Sequence, residues 1–206
     1  MTRKTILAVI AAMALIAGCA TMMSEAEVSK QALQVMKTSF KERGQAKLDR
    51  LDQDEVQAAC SLYGTPDKVP KDVAQRLEQG QLKAVRYPAD GKVMGDWKAG
   101  ERIAQSGAGK QFNDDPARPA GANCYACHQL SKQELAFGTI GPTLLNYGKL
   151  RGSSEEIRKY TYAKVYNSNA FSACSNMPRF GHNGILTEQQ MKDVVALLLD
   201  PESPVN

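Results

Sequence analysis

Apolar side chains recur at helical spacing along most of this chain. After Ser24, a residue suited to capping, Val28, Ala32, Val35, Met36 and Phe40 fall on one side of a helix that starts at Glu25. Gly44 interrupts, and a second stripe of Leu48, Leu51, Val56, Ala59 and Tyr63 ends at Gly64 and Pro66. A third, short segment starts at Pro70, carries Val73 and Leu77 one turn apart, and is expected to stop at Gly80. These stripes are narrow and hold no metal-binding or catalytic group. They read as packing elements that need another surface. Tyr87-Pro88-Ala89-Asp90-Gly91 is a turn and the predicted domain boundary. Beyond it, Asp96 caps a helix whose Trp97, Gly100, Ile103 and Ala104 share a face, and Gly100 would let a second helix cross closely. Ser106 to Asn123 is rich in Gly, Pro, Asp and Asn and reads as a loop. Ser153-Ser154-Glu155-Glu156 opens a helix to about Asn167, with Ile157, Tyr160 and Val165 as its apolar positions. Thr187-Glu188-Gln189-Gln190 is a capping box that opens a helix through Leu199 with a broad apolar face, and Asp200-Pro201 ends it. The fold class that these periods predict is all-α.

Composition changes this picture little. The 206 residues are 43% hydrophobic and only 6% aromatic, so a bound apolar cofactor would supply bulk that the side chains lack. The net charge of +4 is mild and argues against a nucleic-acid partner. The first residues read as a secretion signal over 1–19. Arg3 and Lys4 form its charged region, and Ile6 to Ala17 form an apolar stretch short for a membrane span. It ends in Ile16-Ala17-Gly18-Cys19, which resembles a bacterial lipobox, in which cleavage falls before the Cys and its sulfur takes a diacylglyceride. Ordinary cleavage near Cys19 to give a soluble product is the alternative. Both routes lead to the periplasm, with lipid anchoring to a membrane in the first case.

The chemistry is concentrated in Cys124-Tyr125-Ala126-Cys127-His128, a C-x-x-C-H run of the kind that attaches a c-type haem. Two cysteines at this spacing can form thioethers to the two haem vinyl groups. The His that follows then lies where its imidazole can bind the iron. A zinc half-site would want a second Cys/His pair, and only His182 and Cys174 remain downstream. One covalently bound c-type haem is therefore expected. Of the five cysteines, Cys60 and Cys174 are left after Cys19 and this pair. In an oxidising compartment they most simply form a disulfide, which for so long a loop would stabilise by about 4–5 kcal/mol. Two buried free thiols are the bland alternative. Under the first reading, Cys60 staples a helical extension over residues 20–89 to a mono-haem domain over residues 90–206.

The second axial ligand determines the chemistry of such an iron. Met177, in a loop before Pro178 and just ahead of the last helix, is the leading candidate. A thioether favours the ferrous state, raises the reduction potential and closes the iron to other ligands. His182 and Cys174 are rivals, and an open iron suited to catalysis or sensing is the third alternative.

Several of these features resemble class I cytochromes c. They include a small-residue helix and a trailing apolar helix on either side of C-x-x-C-H, and the segment Gly141-Pro142-Thr143-Leu144. That resemblance implies that the Pro142 carbonyl accepts from the His128 imidazole and that leucines line the haem face. The runs Gly121 to Leu130 and Met177 to Thr187, with the closing Val194 to Asn206, resemble the SoxX family more narrowly. These are the smaller cytochrome c subunits of SoxAX complexes in bacterial thiosulfate oxidation. The resemblance covers residues 87–206 and more loosely the extension. It implies a heterodimer with a SoxA-like haem subunit, oxidative coupling of thiosulfate to a cysteine of a carrier protein, and electron transfer to a small cytochrome c. On this chain it implies Cys124 and Cys127 as tethers and His128 and Met177 as iron ligands, with no residue performing sulfur chemistry.

Overall fold

The computed structural model describes residues 23–206, and Cys19 with the expected signal lies outside them. Seven α-helices and no strands are present among these residues: α1 Glu25–Ser39, α2 Glu55–Tyr63, α3 Lys71–Lys83, α4 Trp97–Gln105, α5 Tyr147–Arg151, α6 Glu155–Tyr166 and α7 Glu188–Leu199. The chain divides into two compact units, one ending at Lys41 and one spanning Glu42–Asn206. The first unit contributes α1. Ser24 and Glu27 close a capping box at its start, and none of its residues is buried.

The second unit is built around the crossing of α4 and α7. Asp96 caps α4 by accepting from the Lys98 N–H. Thr187 and Gln190 form the capping box of α7, which buries every residue from Val194 to Leu199. The two helices meet at Gly100, where an added Cβ would lie 2.1 Å from the Asp193 backbone oxygen. Asp193 is buried, and its carboxylate accepts from the Asp96 N–H at 2.9 Å, fixing the start of α4 against α7. Tyr162 and Val165 of α6 join the same core, together with Tyr125, Leu130, Phe180 and Leu186. The buried residues of α6 are Thr161, Tyr162, Ala163 and Val165; Val165 and the half-buried Ile157 face the core as the sequence suggested, while Tyr160 packs against Phe171 instead.

Residues 42–89 belong to this second unit. The stripe from Leu48 to Tyr63 is divided. A 3-10 turn covers Leu48–Leu51, and α2 starts afresh from Asp54, whose carboxylate caps it within a capping box closed by Gln57. Gly64 ends α2 with φ +79°. Helix α3 runs through Gly80 instead of stopping there. Nothing crowds Gly80, and Leu77 on one side and Gln81 on the other are both anchored, so the chain tolerates a residue of low helix propensity. Val56 and Leu77 make a second, smaller core with Ala173, and Cys60 and Cys174 pack against it.

Candidate haem site

The C-x-x-C-H run forms a single 3-10 turn, Cys124–Ala126, entered through Asn123 in the left-handed region at φ 46°. The Cys127 and His128 N–H groups both donate to the Cys124 carbonyl, at 3.1 and 2.9 Å, so the turn presents its two cysteines and its histidine from one tight knot of backbone. Tyr125 is driven inward. Its hydroxyl donates to Glu101 of α4 at 2.9 Å, and burial pushes that hydroxyl up to about 12. The motif is thereby tied to the helix that carries Gly100.

The loop after the motif folds back on it. Gly138 N–H donates to the Tyr125 carbonyl, Gly141 N–H to the Cys127 carbonyl and Leu144 N–H to the Gln129 carbonyl, at 2.7 to 2.8 Å. This brings the Pro142 carbonyl to 2.7 Å from His128 Nδ1, which donates to it. Nδ1 then carries the proton, and Nε2 is left as the lone-pair nitrogen, the tautomer a metal ligand needs. Gly141 has to be glycine, since a Cβ there would lie 2.2 Å from His128 Cε1.

Met177 is fixed at both backbone atoms. Its N–H donates to Ser175 Oγ at 3.2 Å, and its carbonyl accepts from Ser168 Oγ at 2.5 Å. Its side chain packs against the same core as Cys124, Leu144, Tyr147 and Ala122. Of the rival ligands, one is excluded. Cys174 is joined to Cys60 across 114 residues of sequence, which takes its sulfur out of contention. His182 sits beside Asp54 and Arg179. Burial, then the Arg179 charge, lower its pKa, against an opposing pull from Asp54.

These residues fit a c-type haem better than the alternatives. Desolvation pushes the Cys124 thiol up to about 12, the opposite of what a redox dithiol requires. No group of three or more His, Cys, Asp or Glu among the described residues could hold a metal ion, as a zinc site would need. Cys124 and Cys127 would carry the group covalently, His128 would supply one axial donor, and Met177 and His182 are the candidates for the other.

Reading from sequence missed the surroundings of Met177. Arg179 lies in its loop, and Asp54, Ser168 and Glu78 all bear on that loop. The capping pattern Asp54-x-x-Gln57 was the one available signal, and it is local.

An all-helical domain organised around this knot is a c-type cytochrome of class I architecture with a helical N-terminal extension. Residues 108–200 match the cytochrome c family model, so the chain contains a cytochrome c domain. It is also 41% identical over 160 residues to a protein of Aquifex aeolicus (strain VF5) described as an uncharacterized lipoprotein, a match that spans 75% of this chain and 73% of the relative. Haem-based electron transfer is the activity of the family, and this chain is an electron-transfer redox protein.

Proposed function

We propose that this chain is the electron-accepting, mono-haem subunit of a periplasmic heterodimer that couples thiosulfate oxidatively to a cysteine of a carrier protein. Its partner would be a SoxA-like haem subunit, and a small cytochrome c would receive its electrons. The observation that carries the electron-transfer part is the orientation of His128 by the Pro142 carbonyl, 2.7 Å from Nδ1, which leaves Nε2 free for a metal. When bound, the haem supplies a one-electron iron couple. The chain's own part is to fix the imidazole tautomer, to offer a thioether that favours the ferrous state, and to exclude other ligands. The more specific sulfur-oxidising role rests on the likeness of Gly121 to Leu130 and Met177 to Thr187 to SoxX. No side chain near the candidate site performs sulfur chemistry in this reading, so the substrate reacts on the partner.

The name of the Aquifex relative supports lipidation at Cys19. Among the described residues no helix is long and apolar enough to cross a membrane, so anchoring by acyl chains on Cys19 would place the protein at a periplasmic membrane face.

The test is purification of the native protein from periplasm and membranes in mild detergent. Every stoichiometric haem-bearing chain is identified, and reduction by thiosulfate is measured with and without a carrier cysteine. A one-to-one haem partner and carrier-dependent reduction are expected. A lone mono-haem protein that thiosulfate does not reduce would leave a stand-alone electron carrier.

A further inference from the structure

Helix α2 touches the Met177 loop on both sides of Met177. At the start of the helix, Asp54 Oδ2 lies 2.6 Å from Arg179 Nη2, two residues after Met177. Further along, Cys60 is bonded to Cys174, three residues before it. Helix α3 adds a third hold, because the Ala173 N–H donates to Glu78 Oε1 at 3.1 Å. The loop therefore joins the two cores, with Met177 packed on the larger and Cys174 on the smaller.

Arg179 is costly in this position. It is 7% exposed, and its Nη1 finds no hydrogen-bond partner among the described residues. Its partner Asp54 is 38% exposed, so the pair is only partly withdrawn from water and adds little net stability over an apolar pair. Once in place, though, it resists rupture, since breaking it strands a charge. An element with that profile suits a fixed position better than a stable core. Met177 is where a fixed position matters, because a neutral thioether binds iron weakly and is displaced when its loop relaxes.

We propose that α2 is a two-point clamp that sets how firmly Met177 is held toward the iron. Asp54 and Arg179 act as positioning residues at one jaw and the Cys60–Cys174 bridge is the other. The proposal rests on the reading of Met177 as the second axial ligand. Loosening either jaw increases the fraction of time the loop is open, and an added ligand captures the iron during those openings.

The experiment uses the full haem-loaded chain. Imidazole binding to the ferric protein is followed by absorbance, alongside the sulfur-to-iron charge-transfer band and the midpoint potential. Asp54→Asn and the double variant Cys60→Ser/Cys174→Ser are each expected to tighten apparent imidazole binding by about tenfold, which corresponds to about 1.4 kcal/mol of easier opening. The potential should fall in both. Met177→Ala separates the two readings. If it binds imidazole no better than the unaltered protein, the ligand assignment itself fails. If it opens the iron while both jaw variants behave as the unaltered protein, the clamp is overturned and the ligand assignment stands. Hydrogen exchange in the unaltered protein decides the matter should a variant not fold. The Met177 amide is expected to open together with the amides of α2, and exchange far ahead of α2 would sink the proposal.

Discussion

Asp54 illustrates how much a single side chain carries here. Burial pushes its carboxyl up. The Gln57 N–H, the Arg179 guanidinium and the nearby His182 outweigh that, and hold it below the usual carboxylate range. A carboxyl depressed in the folded state stabilises the fold above its ordinary pKa of about 4 and loses that contribution as pH falls through its folded value. In denaturant titrations, Asp54→Asn should therefore be less stable than the unaltered protein at neutral pH, and the gap should close in acid. A gap independent of pH would mean that the charge of Asp54 contributes nothing, in the cap or in the ion pair. At this scale the sequence was uneven. Cys124, Cys127 and His128 announce themselves, because their chemistry lives in adjacent positions. The Pro142 contact to His128 was legible only through resemblance. The Asp54–Arg179 pair was not legible, because it joins positions 125 apart that no local period connects.

At the scale of elements, two glycines that look alike in sequence have opposite tasks. Gly100 sits where α4 crosses α7, and a methyl group there would collide with Asp193 backbone 2.1 Å away. Backbone cannot rotate aside as a side chain can, so Gly100→Ala is expected to destabilise by about 2–3 kcal/mol in a urea melt. Gly80 lies within α3 with nothing within 4 Å of its would-be Cβ. Gly80→Ala should stabilise by about 0.5–1 kcal/mol, chiefly by narrowing the unfolded ensemble. Both substitutions having the same sign would contradict this account of the crossing. The helix starts were legible wherever a cap marked them, at Ser24, Asp96, Ser154 and Thr187. Gly80 was misread as a stop because propensity is local, whereas the anchoring of Leu77 and Gln81 to distant residues is not. Helix α5, Tyr147–Arg151, is too short to show a period at all.

For the whole molecule, the turn at Tyr87–Gly91 marks a boundary in composition, while one compact unit runs on both sides of it. Composition marks where the chain bends, but the division falls after Lys41, because α2 and α3 share a core with Ala173 and a disulfide with Cys174. Within this unit, a chain beginning at Asp90 should accordingly lose far more unfolding free energy in a urea titration than the ~0.5 kcal/mol of a surface change. A loss on that small scale would contradict the shared core. The bridge between Cys60 and Cys174 has one more consequence, for how the protein is made. The ring it closes contains Cys124 and Cys127, so the nascent chain offers four thiols beyond Cys19 that can pair in three ways. At about 0.6 kcal/mol per doubling of loop length, chain entropy separates the three pairings by only about 2 kcal/mol. If the C-x-x-C-H cysteines are consumed as thioethers first, two thiols remain and a single pairing is left. Cofactor attachment would then be the step that makes oxidative maturation unambiguous, and a chain denied its cofactor would be expected to scramble.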